Sequence, residues 1–163
     1  MRVALLSDTH APRFWKRLPD AVARRLDGVD AIVHAGDVCT AEVLSELAAF
    51  APVHVALGNN DGPDVAAWGA AETLTLDLAG VEVAVVHDSG PATGRAGRLR
   101  ARFPAADLVV FGHSHIPWDE TVDGQRAVNP GSPTDRRRQP FRTMGEVVLD
   151  AGAIVRVELQ RLP

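Results

Sequence analysis

Seven residues stand out by type and by position: Asp8, His10, Asp37, Asn59, His87, His113 and His115. Each follows a short apolar run. Val3–Leu6 leads into Ser7-Asp8-Thr9-His10, and Ala31–Val33 into His34-Ala35-Gly36-Asp37. Val53–Leu57 leads into Gly58-Asn59-Asn60-Asp61, Val81–Val86 into His87-Asp88-Ser89-Gly90, and Leu108–Phe111 into Gly112-His113-Ser114-His115. Two carboxylates, four imidazoles and one amide form a donor set that suits borderline and hard divalent cations. Seven donors are too many for one tetrahedral zinc. They suit two ions about 3.5–4 Å apart that share one carboxylate, an arrangement that can hold a hydroxide and both ends of an in-line phosphoryl displacement. Singly, each cluster has an ordinary use: Asp8 can cap a turn, and Gly58-Asn59-Asn60-Asp61 is a good turn in itself. The weight lies in the conjunction, with four of the chain's six histidines at predicted strand ends.

Convergence of these clusters requires particular elements. Short, continuous, β-branched apolar runs read as strands buried on both faces. Between them, Leu18–Leu26, Ala41–Phe50 and Arg95–Phe103 read as helices. Thr40 is the expected N-cap of the second and Pro52 its stop; Arg95, Arg98 and Arg102 are expected to face solvent in the third. This alternation is α/β, and in open α/β sheets functional loops gather beyond the carboxyl ends of the strands. The later part differs. Thr73–Leu78 and Val81–Val86 flank Ala79-Gly80, Trp118–Val122 and Arg126–Val128 flank Asp123-Gly124, and Glu146–Asp150 and Ile154–Leu159 flank Ala151-Gly152. These read as antiparallel hairpins. Two mixed sheets packed together with helices outside accommodate both halves.

Length and composition bound the alternatives. A chain of 163 residues, 46% hydrophobic and 23% charged, predicts one ordinary domain over 1–163 with a sizeable core. It is too short for a complete (β/α)₈ barrel, which needs about 250 residues. That excludes an amidohydrolase reading of the His113-Ser114-His115 pair. A net charge of −4 gives no bulk attraction to nucleic acid or to an anionic membrane. Cys39 is the only cysteine, so neither an intrachain disulfide nor a Cys-based metal site is available. No apolar run reaches the length of a membrane span or of a secretory signal, which makes the cytoplasm the expected location.

The combination Asp8-x-His10, Gly36-Asp37, Gly58-Asn59, His87 and Gly112-His113-x-His115 resembles the calcineurin-like metallophosphoesterase signature. The length, Gly58-Asn59-x-Asp61 and Asn129-Pro130-Gly131-Ser132 are similar to its small YfcE-type phosphodiesterase branch, from Met1 to about Leu159. The resemblance implies a four-layer α/β/β/α sandwich of two mixed sheets. It implies one metal held by Asp8, His10, Asp37 and His115 and another by Asp37, Asn59, His87 and His113, with Asp37 bridging. Manganese is the first expectation, with nickel, cobalt, iron and zinc as alternatives. The expected reaction is hydrolysis of a small phosphate ester, most of all a phosphodiester, by a hydroxide between the ions. Asp37, Asn59, His10 and His113 are the residues expected to act at the phosphate. A homo-oligomer is left open.

Two positions depart from the family pattern. Asn60 stands where many relatives carry the histidine thought to protonate the leaving group, and an amide cannot do so near neutral pH. Ser89 stands where a further histidine is common, and Asp88 replaces a glycine. Of the remaining residues, His34 and His54 are expected to be structural, and Asp61 is a candidate to orient a ligand histidine. Arg136-Arg137-Arg138 with Arg142 reads as a solvated loop or as an electrostatic lip for phosphate. The glycines of Gly90–Gly97 lack the ending of a P-loop. A non-catalytic scaffold on the same fold, as in the retromer subunit that the chain also resembles, is the rival reading. Trp15, Trp68 and Trp118 are candidates there for a partner surface.

Overall fold

Val3 and Leu5 of β1 (Arg2–Leu6) point to one side of their sheet and Ala4 and Leu6 to the other, and all four are buried. Both faces must therefore be covered, which is what an uninterrupted apolar run demands. In the computed structural model, which describes residues 1–163, that covering is complete. One sheet has the order β10-β9-β1-β2-β3, with β2 Ala31–His34, β3 Val53–Val55, β9 Arg142–Asp150 and β10 Ala153–Leu162. The other has the order β4-β5-β6-β8-β7, with β4 Thr73–Leu78, β5 Val81–Val86, β6 Leu108–Phe111, β7 Trp118–Val122 and β8 Gln125–Asn129. β1-β2-β3 and β5-β6-β8 run parallel, and the outer pairings are antiparallel.

Three apolar layers follow from this pleat. Val3, Leu5, Ala31 and Val33 meet Val83, Val85, Leu108, Val110 and Val128 between the sheets. Ala4, Leu6 and Ile32 pack under α1 (Asp20–Leu26), α2 (Ala41–Ala48) and α3 (Pro63–Trp68) through Val22, Leu26, Leu44, Leu47 and Val65. Ala84, Val86, Val109 and Phe111 pack under α4 (Arg95–Arg102) through Leu99. Each large apolar side chain so buried is worth roughly 1.5–3 kcal/mol. The expected four-layer sandwich of two mixed sheets is the observed one.

The three hairpins turn where expected. Ala79-Gly80, Asp123-Gly124 and Ala151-Gly152 have positive φ at both positions, as a two-residue turn matched to strand twist requires. Other expectations need correction. α3 was not anticipated; Pro63 opens it, and six residues carry too little periodicity to show. β9 starts at Arg142, four residues before the expected Glu146, because it continues alongside β10 past the end of β1. Thr40 occupies the N-cap of α2 but makes no capping bond; Asp64 reaches across instead and accepts from Ala41 N–H at 3.0 Å. Arg95 does not face solvent. It is buried, its guanidinium 4.9 Å from the Phe111 ring centre and 5.1 Å from that of Trp118. Trp15 is buried and Trp68 and Trp118 are half-buried, so the tryptophans form no common partner surface.

His34 is structural. It is fully buried at the end of β2, and its Nδ1 accepts from Gly36 N–H at 3.2 Å. The ring proton therefore sits on Nε2, 3.3 Å from Thr9 Oγ1. Burial holds this ring neutral and pushes its pKa down to about 3. The unfolded ring takes up a proton first, so stability present above pH 6.5 is lost progressively as pH falls from 6.5 toward about 3. In metal-free buffer, the fall in unfolding free energy between pH 7.5 and pH 5.0 should be about 2 kcal/mol smaller in His34→Gln than in the wild type. Urea titration at the two pH values measures it; an unchanged difference contradicts the assignment.

A second test concerns close approach of the sheets. A Cβ on Gly112 would overlap Ser7 Oγ and stand 2.9 Å from Asp8 Oδ2, so only glycine lets β6 run out beside β1. Gly112→Ala should cost about 1–3 kcal/mol by overpacking, read from the urea midpoint; a midpoint equal to the wild type would show that the two loops separate freely.

Candidate metal centre

All seven expected residues lie at one edge of the molecule, beyond the carboxyl ends of β1, β2, β3, β5 and β6. The loops that carry them are laced together by backbone bonds. Asp8 N–H donates to Gly36 O at 2.9 Å, His10 N–H to Asp37 O at 3.0 Å, and Gly112 N–H to His87 O at 2.9 Å. Asp8, His10, Asp37, His113 and His115 all have positive φ, as does Cys39. Such backbone costs about 1–2 kcal/mol per residue, and it clusters where a side chain must be aimed rather than packed.

The donors form two groups, Asp8-His10-His115 and Asp37-His87-His113. In the first, His115 Nε2 is 3.3 Å from Asp8 Oδ1 and 3.1 Å from His10 Nε2. In the second, Asn59 Oδ1 is 3.1 Å from His87 Nε2 and 3.0 Å from His113 Nδ1. Asp37 joins the two: its Oδ2 lies 3.6 Å from His10 Nε2 and 3.4 Å from His87 Nε2.

Tautomers decide what these contacts mean. His87 Nδ1 is 2.7 Å from Ala35 O and His115 Nδ1 is 2.5 Å from Asp135 O. A carbonyl only accepts, so each Nδ1 carries a proton and, in the neutral ring, each Nε2 turns a lone pair inward. The inward-facing atoms are therefore mostly acceptors. Asp8 Oδ1 is buried with no hydrogen-bond partner at all. Convergent lone pairs with too few protons are what a cation site requires, and on that ground the residues of both candidate groups fit divalent metal.

The titration behaviour of the ion-free chain expresses the same shortage. Burial pushes the Asp8 carboxyl up to about 7, against the pull of the Ser7 hydroxyl, which donates to Oδ2 at 2.6 Å. Burial also pushes His115 down to about 4 and lowers His10. It would raise Asp37 too, but hydrogen bonds from His87 and Asn60 hold that carboxylate well below its usual range. His87 moves the other way: burial disfavours its charge, yet Asp37 and Asp8 raise it. Burial pushes the Cys39 thiol up to about 12, so it remains a neutral, half-buried neighbour, 3.6 Å from His10 Nδ1.

Several supporting residues were not legible as such. Asp61, a candidate to orient a ligand histidine, does not do so. Its carboxylate accepts backbone N–H bonds from Asp37 at 3.0 Å, Cys39 at 2.6 Å and Gly58 at 2.7 Å, fastening the loops after β2 and β3. Ser132 Oγ donates to Asp8 O and Thr134 Oγ1 to Thr9 O, both at 2.8 Å, so the Asn129–Ser132 turn braces the first loop. Asn129 Nδ2 does the same for Gly112 O at 2.8 Å. Arg137 is near enough for its charge to bear on Asp8, His10 and His115, whereas Arg136 turns to Gln139 O. His54 lies inside β3, half-buried. Beside the second group, a cleft of about 440 Å³ is lined by Asn59, His87, His113, Glu72 and Arg102, and His113 is exposed to it.

A family model for the calcineurin-like phosphoesterase superfamily domain matches residues 1–152. A probable metallophosphoesterase of Methanothermobacter thermautotrophicus is 30% identical over 138 residues, 82% of this chain and 78% of that protein. Among solved structures, wild-type Vps29 of Entamoeba histolytica complexed with zinc has a TM-score of 0.80 at 20% identity, covering 99% of this chain and 98% of that one. A novel archaeal phosphodiesterase has a TM-score of 0.75 at 20% identity, covering 98% and 100%. These two likenesses establish the shared fold. With a family model spanning nearly its whole length, this chain belongs to the calcineurin-like phosphoesterase superfamily.

Proposed function

We propose that the chain is a two-metal phosphodiesterase acting on a small phosphate ester. Asp8, His10, Asp37 and His115 would hold one ion and Asp37, Asn59, His87 and His113 the other, with Asp37 common to both sets. The observation that carries this is Asp37 Oδ2, placed within 3.6 Å of one imidazole Nε2 from each group. Mixed carboxylate and imidazole donors favour manganese, with nickel, cobalt, iron and zinc as alternatives. Two such ions supply, when bound, Lewis-acid polarisation of the ester and a hydroxide nucleophile near neutral pH.

The protein's own groups do the rest. Asp135 O and Ala35 O hold His115 and His87 in the tautomer that offers Nε2. His10, Asn59 and His113 orient the phosphoryl group, with His113 at the open side. Asn60 donates to both oxygens of Asp37, through its N–H at 2.8 Å and its Nδ2 at 2.7 Å. It thus fixes the shared carboxylate and gives the departing oxygen no proton.

A chain of one domain and a lone free cysteine fit a cytoplasmic enzyme. No helix is long and apolar enough to cross a membrane. An interaction-only role, raised by the Vps29 likenesses, is the second reading, and because one Vps29 neighbour is complexed with zinc, turnover and not metal binding separates the two.

Metal reloading tests the centre. Apo protein titrated with Mn, Ni, Co, Zn or Mg should gain activity toward bis(p-nitrophenyl) phosphate with a break near two equivalents. Asp37→Asn and His113→Ala should lose at least a hundredfold in kcat/KM. Inertness toward every ester offered, in every metal, leaves the scaffold reading. Leaving-group dependence tests Asn60. Aryl diesters should turn over much faster than alkyl diesters, and Asn60→His should narrow that ratio by about a hundredfold, the lower end of general-acid contributions; equal wild-type rates for both classes count against it.

A further inference from the structure

Resting on the phosphodiesterase reading, we propose that the substrate is a single-stranded nucleic acid, whose nucleotides flanking the scissile phosphate lie in an arginine-lined cleft on the Asp8-His10-His115 side. A net charge of −4 is an average, and the basic residues are not evenly spread. A cleft of about 330 Å³ is lined by Arg13, Phe14, Pro133, Thr134 and Arg142 with no Asp or Glu in its wall. Neither Arg13 nor Arg142 forms a salt bridge, and both are exposed. Arg142 is nonetheless positioned, its Nε donating to Thr134 O at 3.1 Å and its Nη1 to Pro163 O at 3.4 Å, which leaves Nη2 for the cleft's ligand.

This cleft opens onto the candidate centre. Phe14 is 41% exposed, and its ring stands edge-on to His10 with the centres 6.5 Å apart. Arg13 lies over the same ring, 5.0 Å from its centre. Thr134, in the cleft wall, is bonded to the loop between Asp8 and His10. Arg137 adds a third cation beside Asp8, His10 and His115, offset in part by Asp135 at 3.9 Å.

A small diester offers one phosphate, for which one cation besides the metals would suffice. Separated arginines, neither paired with a carboxylate side chain, beside a partly exposed aromatic ring match a strand of regularly spaced phosphates with bases free to stack. Duplex nucleic acid fits less well, because its bases cannot reach Phe14.

Anisotropy of a fluorescein-labelled oligodeoxyadenylate hexamer tests this on the full chain, with and without Mn, between 50 and 200 mM salt. Arg13→Gln/Arg142→Gln should weaken binding at least tenfold at 50 mM and flatten the log–log salt slope by about 1.4, at about 0.7 per lost single-strand contact. Phe14→Ala should weaken binding at least fivefold and leave that slope unchanged, since stacking releases no counterions. In turnover, the ratio of hexamer KM to bis(p-nitrophenyl) phosphate KM should rise tenfold in the double-arginine variant. Arg100→Gln/Arg126→Gln, on α4 and β8 of the other sheet and absent from the cleft wall, is the charge-matched control and should bind as the wild type does. Equal losses in control and test variants, or a hexamer affinity insensitive to Arg13 and Arg142, would overturn the proposal. So would binding to phosphatidylserine vesicles with none to the hexamer. Binding that depends on these arginines in a protein inert toward all esters would uphold the cleft and defeat the phosphodiesterase reading instead.

Discussion

Lone pairs outnumber protons where the two sheets end. Ala35 O and Asp135 O each take the Nδ1 proton of a histidine, so His87 and His115 turn Nε2 inward. Asn59 Oδ1 adds an acceptor, and Asp8 Oδ1 is buried without a partner. An isolated buried carboxylate is expensive enough that it ordinarily takes up a proton instead. Here burial pushes Asp8 up to about 7 while His87 is drawn upward by two carboxylates. A pair of divalent ions would meet the same need with fixed charge, and every other feature of this edge serves to keep the acceptors together against their mutual repulsion.

Rigidity comes from elements that have no chemistry of their own. Parallel strands in both sheets deliver five loops to one edge, and the apolar layer between the sheets fixes their separation. Gly58 and Gly112 let loops from different strands touch: a Cβ on Gly58 would overlap the Asp37 backbone, and one on Gly112 the Ser7 hydroxyl. Left-handed backbone at five of the seven candidate donors costs several kcal/mol in total. That cost is offset by the bonds that tie Asp8, His10 and Gly112 to neighbouring loops and by the Ser132 and Thr134 hydroxyls from a distant turn.

How much of this the sequence displays depends on the range of the interaction. Continuous apolar runs such as Leu108–Phe111 reveal buried strands because burial on both faces leaves no polar alternation. Hairpins announce themselves through Ala79-Gly80 and Asp123-Gly124, since few residues tolerate two successive positive φ angles. The seven donors are visible because their types are unusual at strand ends. Contacts decided by tertiary proximity are not. Arg95 belongs to an arginine-rich helical repeat that looks solvated, yet Phe111 and Trp118 enclose it. Thr40 has the right type and place for a cap, but Asp64 is nearer to the amide that needs one. The start of β9 is set by β10 and not by any pattern of its own.

Asn60 and Asp61 show the limit most sharply. They are adjacent, similar in size and equally at home in a turn, and nothing local assigns them different work. Asp61 turns its carboxylate to three backbone N–H groups of two loops and fastens the frame. Asn60 turns its side-chain amide to Oδ2 of Asp37, the carboxylate that reaches both donor groups, while its backbone N–H donates to Oδ1. Exchanging the two side chains would leave Asp37 facing a like charge and the three backbone groups facing an amide with a single acceptor oxygen. The order Asn-Asp is therefore required by electrostatics. It has a chemical consequence as well: the position that steadies Asp37 carries an amide, which donates hydrogen bonds but gives up no proton near neutral pH.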